Sequence, residues 1–133
     1  MKEILDSRFF AALFFPQNLA TKDAALKKLR QLRRQGRGIL PSIVIAEVAN
    51  IICREGGREL ALAHIRSMEA SGLTIVPLDG EIAADAGLLR CTYRAMPLAD
   101  LVIAAIAFRD DGRVISDDPH FREIRGLRVA WIT

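Results

Sequence analysis

The sequence predicts an α/β fold, a three-layer α/β/α sandwich around a short, mostly parallel sheet. Short apolar or β-branched runs at Glu3–Leu5, Ile39–Leu40, Leu73–Leu78, Val114–Ile115 and Val129–Ile132 alternate with longer helical stretches. Strands separated by helices need right-handed crossovers, and they pair in parallel with helices on both faces. The chain has 133 residues, 51% of them apolar, which suits one domain with a real core. No linker, repeat or low-complexity segment divides it, so residues 1–133 read as a single domain.

The elements follow in order. Glu3-Ile4-Leu5 is a first strand that stops at Asp6-Ser7, where a helix N-cap fits. Phe9 to Phe15 is apolar until Pro16-Gln17-Asn18 breaks it. Thr21 is the expected cap of a second helix, with Ala25, Leu29 and Leu32 inward and the basic residues outward. Gly36 and Gly38 end it, and Pro41-Ser42 opens a helix to about Arg54 with Ile43, Ala46, Ala49, Ile52 and Cys53 on the buried side. Gly56-Gly57 separates this helix from another over Arg58–Met68. Gly80 to Tyr93 is Ala-rich and helical, and Pro97 suits the first turn of a helix over Leu98–Phe108. That helix is apolar almost all round, so a central position is expected. Asp111-Gly112 and Asp118-Pro119 are turns.

Charge and composition exclude several classes. The start reaches Asp6 too soon for an export segment, and the apolar run Leu101–Phe108 is too short to span a bilayer. Two cysteines, Cys53 and Cys91, lie in apolar helical stretches without zinc-ligand spacing, so buried free thiols and a cytoplasmic location are expected. Between Lys22 and Arg37 stand Lys22, Lys27, Lys28, Arg30, Arg33, Arg34 and Arg37 against Asp23, a balance of +6 in a chain of net +3. The remainder therefore sums to −3. Such a strip is either a solvated helix face or the footprint of a polyanionic partner.

In an open parallel sheet, chemistry sits beyond the carboxyl ends of the strands. Asp6 follows the first strand, Asp118 follows Val114-Ile115, Asp100 lies in the first turn of its helix, and Glu47 lies in the second turn of its own. Singly, each has an ordinary explanation as a cap, a turn residue or a surface acid. Together, four acids from four segments converge on one rim. Two carboxylates about 4 Å apart repel by about 4 kcal/mol at an effective dielectric of about 20. A cluster must therefore hold protons or a cation. Oxygen ligands with few histidines favour Mg²⁺ or Mn²⁺. A metal-bound water can attack a phosphodiester, so the cluster and the basic strip join in one expectation, a nuclease.

Four stretches resemble the PIN-domain nucleases, and most of all the VapC-type toxins of prokaryotic toxin–antitoxin pairs. They are Ile4-Leu5-Asp6-Ser7, Leu40 to Val48 around Glu47, Met96 to Ala107 around Asp100, and Ile115-Ser116-Asp117-Asp118-Pro119-His120-Phe121. Their order and spacing span nearly the whole chain. The resemblance implies a PIN-like sandwich and Mg²⁺- or Mn²⁺-dependent endonucleolytic cleavage of RNA. It implies Asp6, Glu47, Asp100 and Asp118 as metal ligands, a homodimer, and a cognate antitoxin whose tail blocks the site. Ser116 stands where many relatives have Thr, which keeps the hydroxyl, and Asp117 adds an acid without an assigned role.

Secondary candidates carry competing readings. Ser116 either supports the metal site by holding Asp118 or bonds its own backbone. Asn50 and Arg54 share Glu47's helix face, where Asn50 reads first as a surface or local hydrogen-bonding residue. His120 reads as a partly buried packing residue, with proton shuttling the alternative, and His64 as an ordinary mid-helix residue. Phe9, Phe10, Phe14 and Phe15 divide between core and a dimer or antitoxin surface. A phospho-receiver domain or haloacid-type phosphatase needs a late lysine, but the four lysines are Lys2, Lys22, Lys27 and Lys28. No glycine-rich turn follows the first strand, which excludes a P-loop or dinucleotide site. The remaining alternatives are a non-catalytic RNA- or partner-binding module of the same fold and a housekeeping RNA-processing nuclease.

Overall fold

The structure is a computed structural model that describes all 133 residues. The elements run β1 (Glu3–Leu5), α1 (Ser7–Phe14), α2 (Leu19–Gln35), β2 (Gly38–Pro41), α3 (Ser42–Gly56), α4 (Arg58–Glu69), β3 (Thr74–Val76), α5 (Gly80–Thr92), α6 (Leu98–Arg109), β4 (Arg113–Ile115), a 3₁₀ turn (Pro119–Glu123) and β5 (Arg128–Ala130). The strands form one sheet in the order β3-β2-β1-β4-β5, and every neighbouring pair is parallel. The six helices flank it, as the alternating pattern predicts.

The strand order decides where a site can lie. From β1 the chain winds outward through β2 to β3, then returns to the other side of β1 for β4 and β5. The winding reverses between β1 and β4, and a crevice opens there at the carboxyl ends. Register pairs Leu5 with Ile115, so Asp6 and Ser116 leave the sheet side by side.

Local chemistry sets the element ends. Asn18, rather than Thr21, caps α2: its side chain accepts from the Thr21 backbone N–H at 2.8 Å. The more upstream side chain wins because its oxygen reaches the third N–H of the helix. Gly36 closes α2 in the left-handed region at φ 64°, whereas Gly38 begins β2 instead of ending the helix. The core includes Ile4, Leu5, Phe9, Phe10, Leu40 and Leu101 to Ala107, so α6 is the central helix, as its all-round apolar character requires.

The buried face of α3 differs from the expected one. Val44, Val48 and Ile52 are buried at a spacing of four, while Ala46 and Cys53 are exposed. Small and apolar residues run all around this helix, so composition alone did not choose the face. Cys53 and Cys91 are both free and exposed, which corrects the expectation of buried thiols. They ride on helix sides turned to solvent. No helix is long and apolar enough to cross a membrane.

At the amino end of β1, Glu3 is 3% exposed and bonds two cations. Lys28 Nζ donates to its Oε1 at 2.7 Å, and Arg113 donates to the same oxygen through Nε at 2.9 Å and through a terminal nitrogen at 2.7 Å. Burial pushes this carboxyl up, but Lys28 and Arg113 outweigh it, and its pKa falls below the usual glutamate value. Lys28, one of the strip's seven basic residues, is thus spent inside the fold.

The turn from α6 into β4 is closely packed. Asp111 takes the left-handed conformation at φ 48°. Gly112 is needed for a different reason: a Cβ there would lie 2.6 Å from Ile4 Cδ1 and 2.7 Å from the Lys2 carbonyl oxygen. Replacing Gly112 with Ala should therefore destabilise the protein by about 1–3 kcal/mol, read from the urea midpoint. An unchanged midpoint would show that β1 and β4 part without cost.

Candidate functional site

The four acids predicted from sequence meet at the β1/β4 crevice. Asp6 caps α1 by position, yet its side chain makes no capping bond. It is 2% exposed and turns to Ser116, whose hydroxyl donates to Asp6 Oδ2 at 2.7 Å. The same Ser116 oxygen accepts from the Asp118 backbone N–H at 3.0 Å. Ser116 thus bonds the local backbone, as one of its two readings has it, and the carboxylate its hydroxyl grips is Asp6 and not Asp118. Asp118 in turn accepts from the His120 N–H at 3.0 Å and starts the 3₁₀ turn.

Asp100 is buried at 8% exposure in the first turn of α6. Its own helix has a proline, Pro97, at the N-cap and no side-chain cap. Glu47 reaches in from α3, and its Oε1 is buried without any hydrogen-bond partner. A carboxylate oxygen in that condition is costly unless it is protonated or meets a cation.

The electrostatics couple all four. Burial pushes Glu47 up to about 7, with the charges of Asp6 and Asp100 adding to the rise. Burial likewise pushes Asp100 up to about 6, with Asp6 and Asp118 adding and His120 opposing. Asp6 is raised first by burial, pulled back by the Ser116 hydroxyl, and raised again by Asp118. Each carboxylate is therefore within reach of another's charge, although they come from four separate segments.

His120 is the residue whose setting the sequence misplaces. It is exposed rather than packed, and its Nδ1 lies 3.2 Å from Asp118 Oδ1 and 3.8 Å from Asp100 Oδ2. Asp100, Asp118 and His120 offer ligand atoms within 4.8 Å of one another, whereas Asp6 and Glu47 stand outside that trio. No spacing in the sequence reports this position, which follows from the 3₁₀ turn that Asp118 starts and the bond its carboxylate accepts from the His120 N–H. Asn50 and Arg54 are exposed. Asp117 points away from the cluster and accepts from Arg8 Nε at 2.7 Å. The cavity of about 460 Å³ between α5 and α6 is lined by residues such as Leu88, Leu89 and Phe108 and contains none of the four acids.

The donor set fits a hard divalent cation. It is rich in carboxylate oxygen, holds one orphaned oxygen, and has no lysine or arginine bonded to Asp6, Glu47, Asp100 or Asp118.

The PIN domain family model matches residues 4–127. The chain belongs to the PIN domain family. No curated protein sequence matches it. Among solved structures, this PIN domain is similar to VapBC from Salmonella typhimurium bound to DNA, with a TM-score of 0.79, 18% identity, and 100% of this chain and 99% of that one covered. It is similar also to VapBC2 from Rickettsia felis, bound to a promoter DNA fragment, with a TM-score of 0.77, 18% identity and 98% of each chain covered. A third is Mycobacterium tuberculosis VapC20, a sarcin–ricin loop cleaving toxin, with a TM-score of 0.67, 15% identity, and 89% of this chain and 91% of that one covered. At such identities the likeness speaks for the fold.

The raised carboxylates make the metal-free PIN domain pH-sensitive. A group whose folded pKa lies above its unfolded value favours the folded state at low pH and loses that contribution as pH rises through the folded pKa. For Glu47 the loss runs from about 4.5 to about 7, and for Asp100 from about 3.8 to about 6. After discounting for solvent screening, unfolding in urea with chelator present should cost about 1–2 kcal/mol less near pH 8 than near pH 5. Added Mg²⁺ should close most of that gap. A profile that is flat with chelator present would mean that neither burial nor repulsion raises these carboxylates.

Proposed function

We propose that this PIN-domain protein is a metal-dependent endoribonuclease and the toxin of a VapBC-type toxin–antitoxin pair, working in the cytoplasm. The observation that carries the reading is the convergence of Asp6, Glu47, Asp100 and Asp118 at the β1/β4 crevice, with Glu47 Oε1 buried and unpartnered. Asp6, Asp100 and Asp118, with Glu47, would hold Mg²⁺ or Mn²⁺. When bound, that cation lowers the pKa of a coordinated water and neutralises charge on the phosphoryl oxygens.

The chain's own groups do the rest. Ser116 fixes the Asp6 carboxylate with its hydroxyl and fixes Asp118 through the backbone, so two acids keep one spacing. Glu47 brings its unpartnered Oε1 to the same site, where it would accept a hydrogen bond from a metal-bound water. His120, beside Asp118, is placed to give a proton to the leaving oxygen.

The basic face of α2 supports an RNA substrate. Arg30, Arg33 and Arg34 are exposed there, although Lys28 is withdrawn by Glu3. Phe9 and Phe10 are core, while Phe14 is half-buried and Phe15 is exposed. Phe14 meets His64 edge-on at 4.5 Å. A cavity of about 210 Å³ between α1, α2 and α4, lined by Phe10, Leu13, Phe14, Leu29 and Met68 with Arg33 beside it, suits an amphipathic antitoxin segment. A homodimer completes the reading, as the resemblance to VapC-type toxins implies.

Asp6→Asn and Asp100→Asn should keep the far-ultraviolet circular dichroism of the parent and cut RNA at less than about one-hundredth of its rate in Mg²⁺. Variants that cut at the parent rate would remove the acids from catalysis. Absence of any metal-dependent cleavage by the parent protein would favour a non-catalytic binding module. Charge reversal at Arg30, Arg33 and Arg34 should weaken RNA binding and reduce the salt slope by about 0.7 for each phosphate no longer neutralised. A slope left unchanged would remove the strip from the substrate path.

A further inference from the structure

A second cavity opens beside the acid rim, on the other side of Asp117. It measures about 360 Å³ and is walled by Arg8, Phe15, Gln17, Thr21, Asp117 and Trp131. Arg8 and Asp117 tie it to the rim. Arg8 stands two residues after Asp6, and Asp117 stands between Ser116 and Asp118. The hydrogen bond that Arg8 donates to Asp117 stabilises the Arg8 cation most, and the charges of Asp118 and Asp6 add to it. The cavity therefore begins where the acid cluster ends.

Its walls combine three chemistries. Phe15 is 46% exposed, with its ring stacked toward His64 at a centroid distance of 6.1 Å, and Trp131 supplies a second ring. Arg8 and Asp117 form a donor–acceptor pair on one wall, joined at 2.7 Å and both accessible at their side chains. Gln17 and Thr21 add hydrogen-bonding groups. Trp131 is also a wall of the next cavity along α2, about 280 Å³ in volume, which includes Lys27 and Gln31. A path thus runs from the acids past Arg8 and Trp131 to the free ammonium of Lys27.

On the nuclease reading above, we propose that this cavity is a nucleotide subsite. It seats one unpaired base of the RNA next to the scissile phosphodiester, stacks it on Phe15 or Trp131, and reads its edge with the Arg8–Asp117 pair. The rings favour a base over a bare phosphate, since every base has a π-face and stacking is a large share of single-strand affinity. The carboxylate of Asp117 argues for the base edge and against the backbone, because it repels phosphate and accepts a hydrogen bond from an exocyclic amino group. Cytosine offers such a donor and uracil does not. A duplex keeps its bases stacked inside and cannot fill the cavity this way.

Trp131 is the sole tryptophan, so its emission reports directly on the cavity. The test titrates short oligocytidine and oligouridine into the Asp100→Asn variant in Mg²⁺, following tryptophan emission and, with labelled RNA, anisotropy. Oligocytidine should quench Trp131 and bind about tenfold more tightly than oligouridine. Asp117→Asn, whose amide both donates and accepts, should shrink that preference without loss of circular dichroism. Arg8→Met should weaken both RNAs. The proposal is overturned if oligocytidine binds by anisotropy while Trp131 emission stays constant, if duplex RNA quenches Trp131 equally, or if Asp117→Asn leaves the two affinities in their parent ratio. Those results leave the nuclease standing. Absence of any RNA binding by either probe would overturn the nuclease as well.

Discussion

The buried hydroxyl of Ser116 ties the two halves of the candidate site together. It donates to Asp6 at the end of β1 and accepts from Asp118 just beyond β4. The two strands are adjacent only because the winding reverses between them. One hydrogen-bonded oxygen therefore converts a topological feature into a fixed spacing between two carboxylates. Asp100 and Glu47 approach that pair from α6 and α3, and their burial, with repulsion added to it, is the cost of the arrangement. A cation at the rim offsets that cost, which makes occupancy and fold stability one thermodynamic problem.

The two ends of β1 show how differently the same fold treats a buried acid. Glu3, at the amino end, is satisfied by Lys28 and Arg113 and titrates low. Asp6, at the carboxyl end, is raised by its burial and by the charge of Asp118, against which the Ser116 hydroxyl pulls only part of the way back. Two residues, Ile4 and Leu5, separate an acid held by cations from one that has none. Unbalanced buried charge with a geometric partner is characteristic of functional sites, whereas the Glu3 cluster is explained by packing alone.

Much of this was legible in the sequence. The alternation of short apolar runs with helices implies the parallel sheet, and Asp6, Glu47, Asp100 and Asp118 fall on the rim that strand ends and helix starts predict. What the sequence hides is directional. The face of α3 is ambiguous because apolar residues surround that helix, so Ile52 is buried as expected but with Val44 and Val48 rather than with Ala46 and Cys53. His120 reads as a partly buried packing residue, and Phe121 and Ile124 follow it. A 3₁₀ turn buries those two and leaves the imidazole outside. Asp117 has no role in the sequence pattern because its partner, Arg8, is 109 positions away, and no local pattern reports such a pairing.

The two solvent-facing thiols have a practical consequence. Cys53 lies in the last turns of α3 and Cys91 in those of α5, each free and accessible. In air, thiolates at such positions couple between molecules as readily as within one. Covalent dimers and larger adducts would then accumulate on storage and imitate a genuine quaternary structure. Gel filtration or light scattering of this protein is informative in the presence of a reductant. The same pair of thiols accepts maleimide dyes at two helix ends without any engineered cysteine.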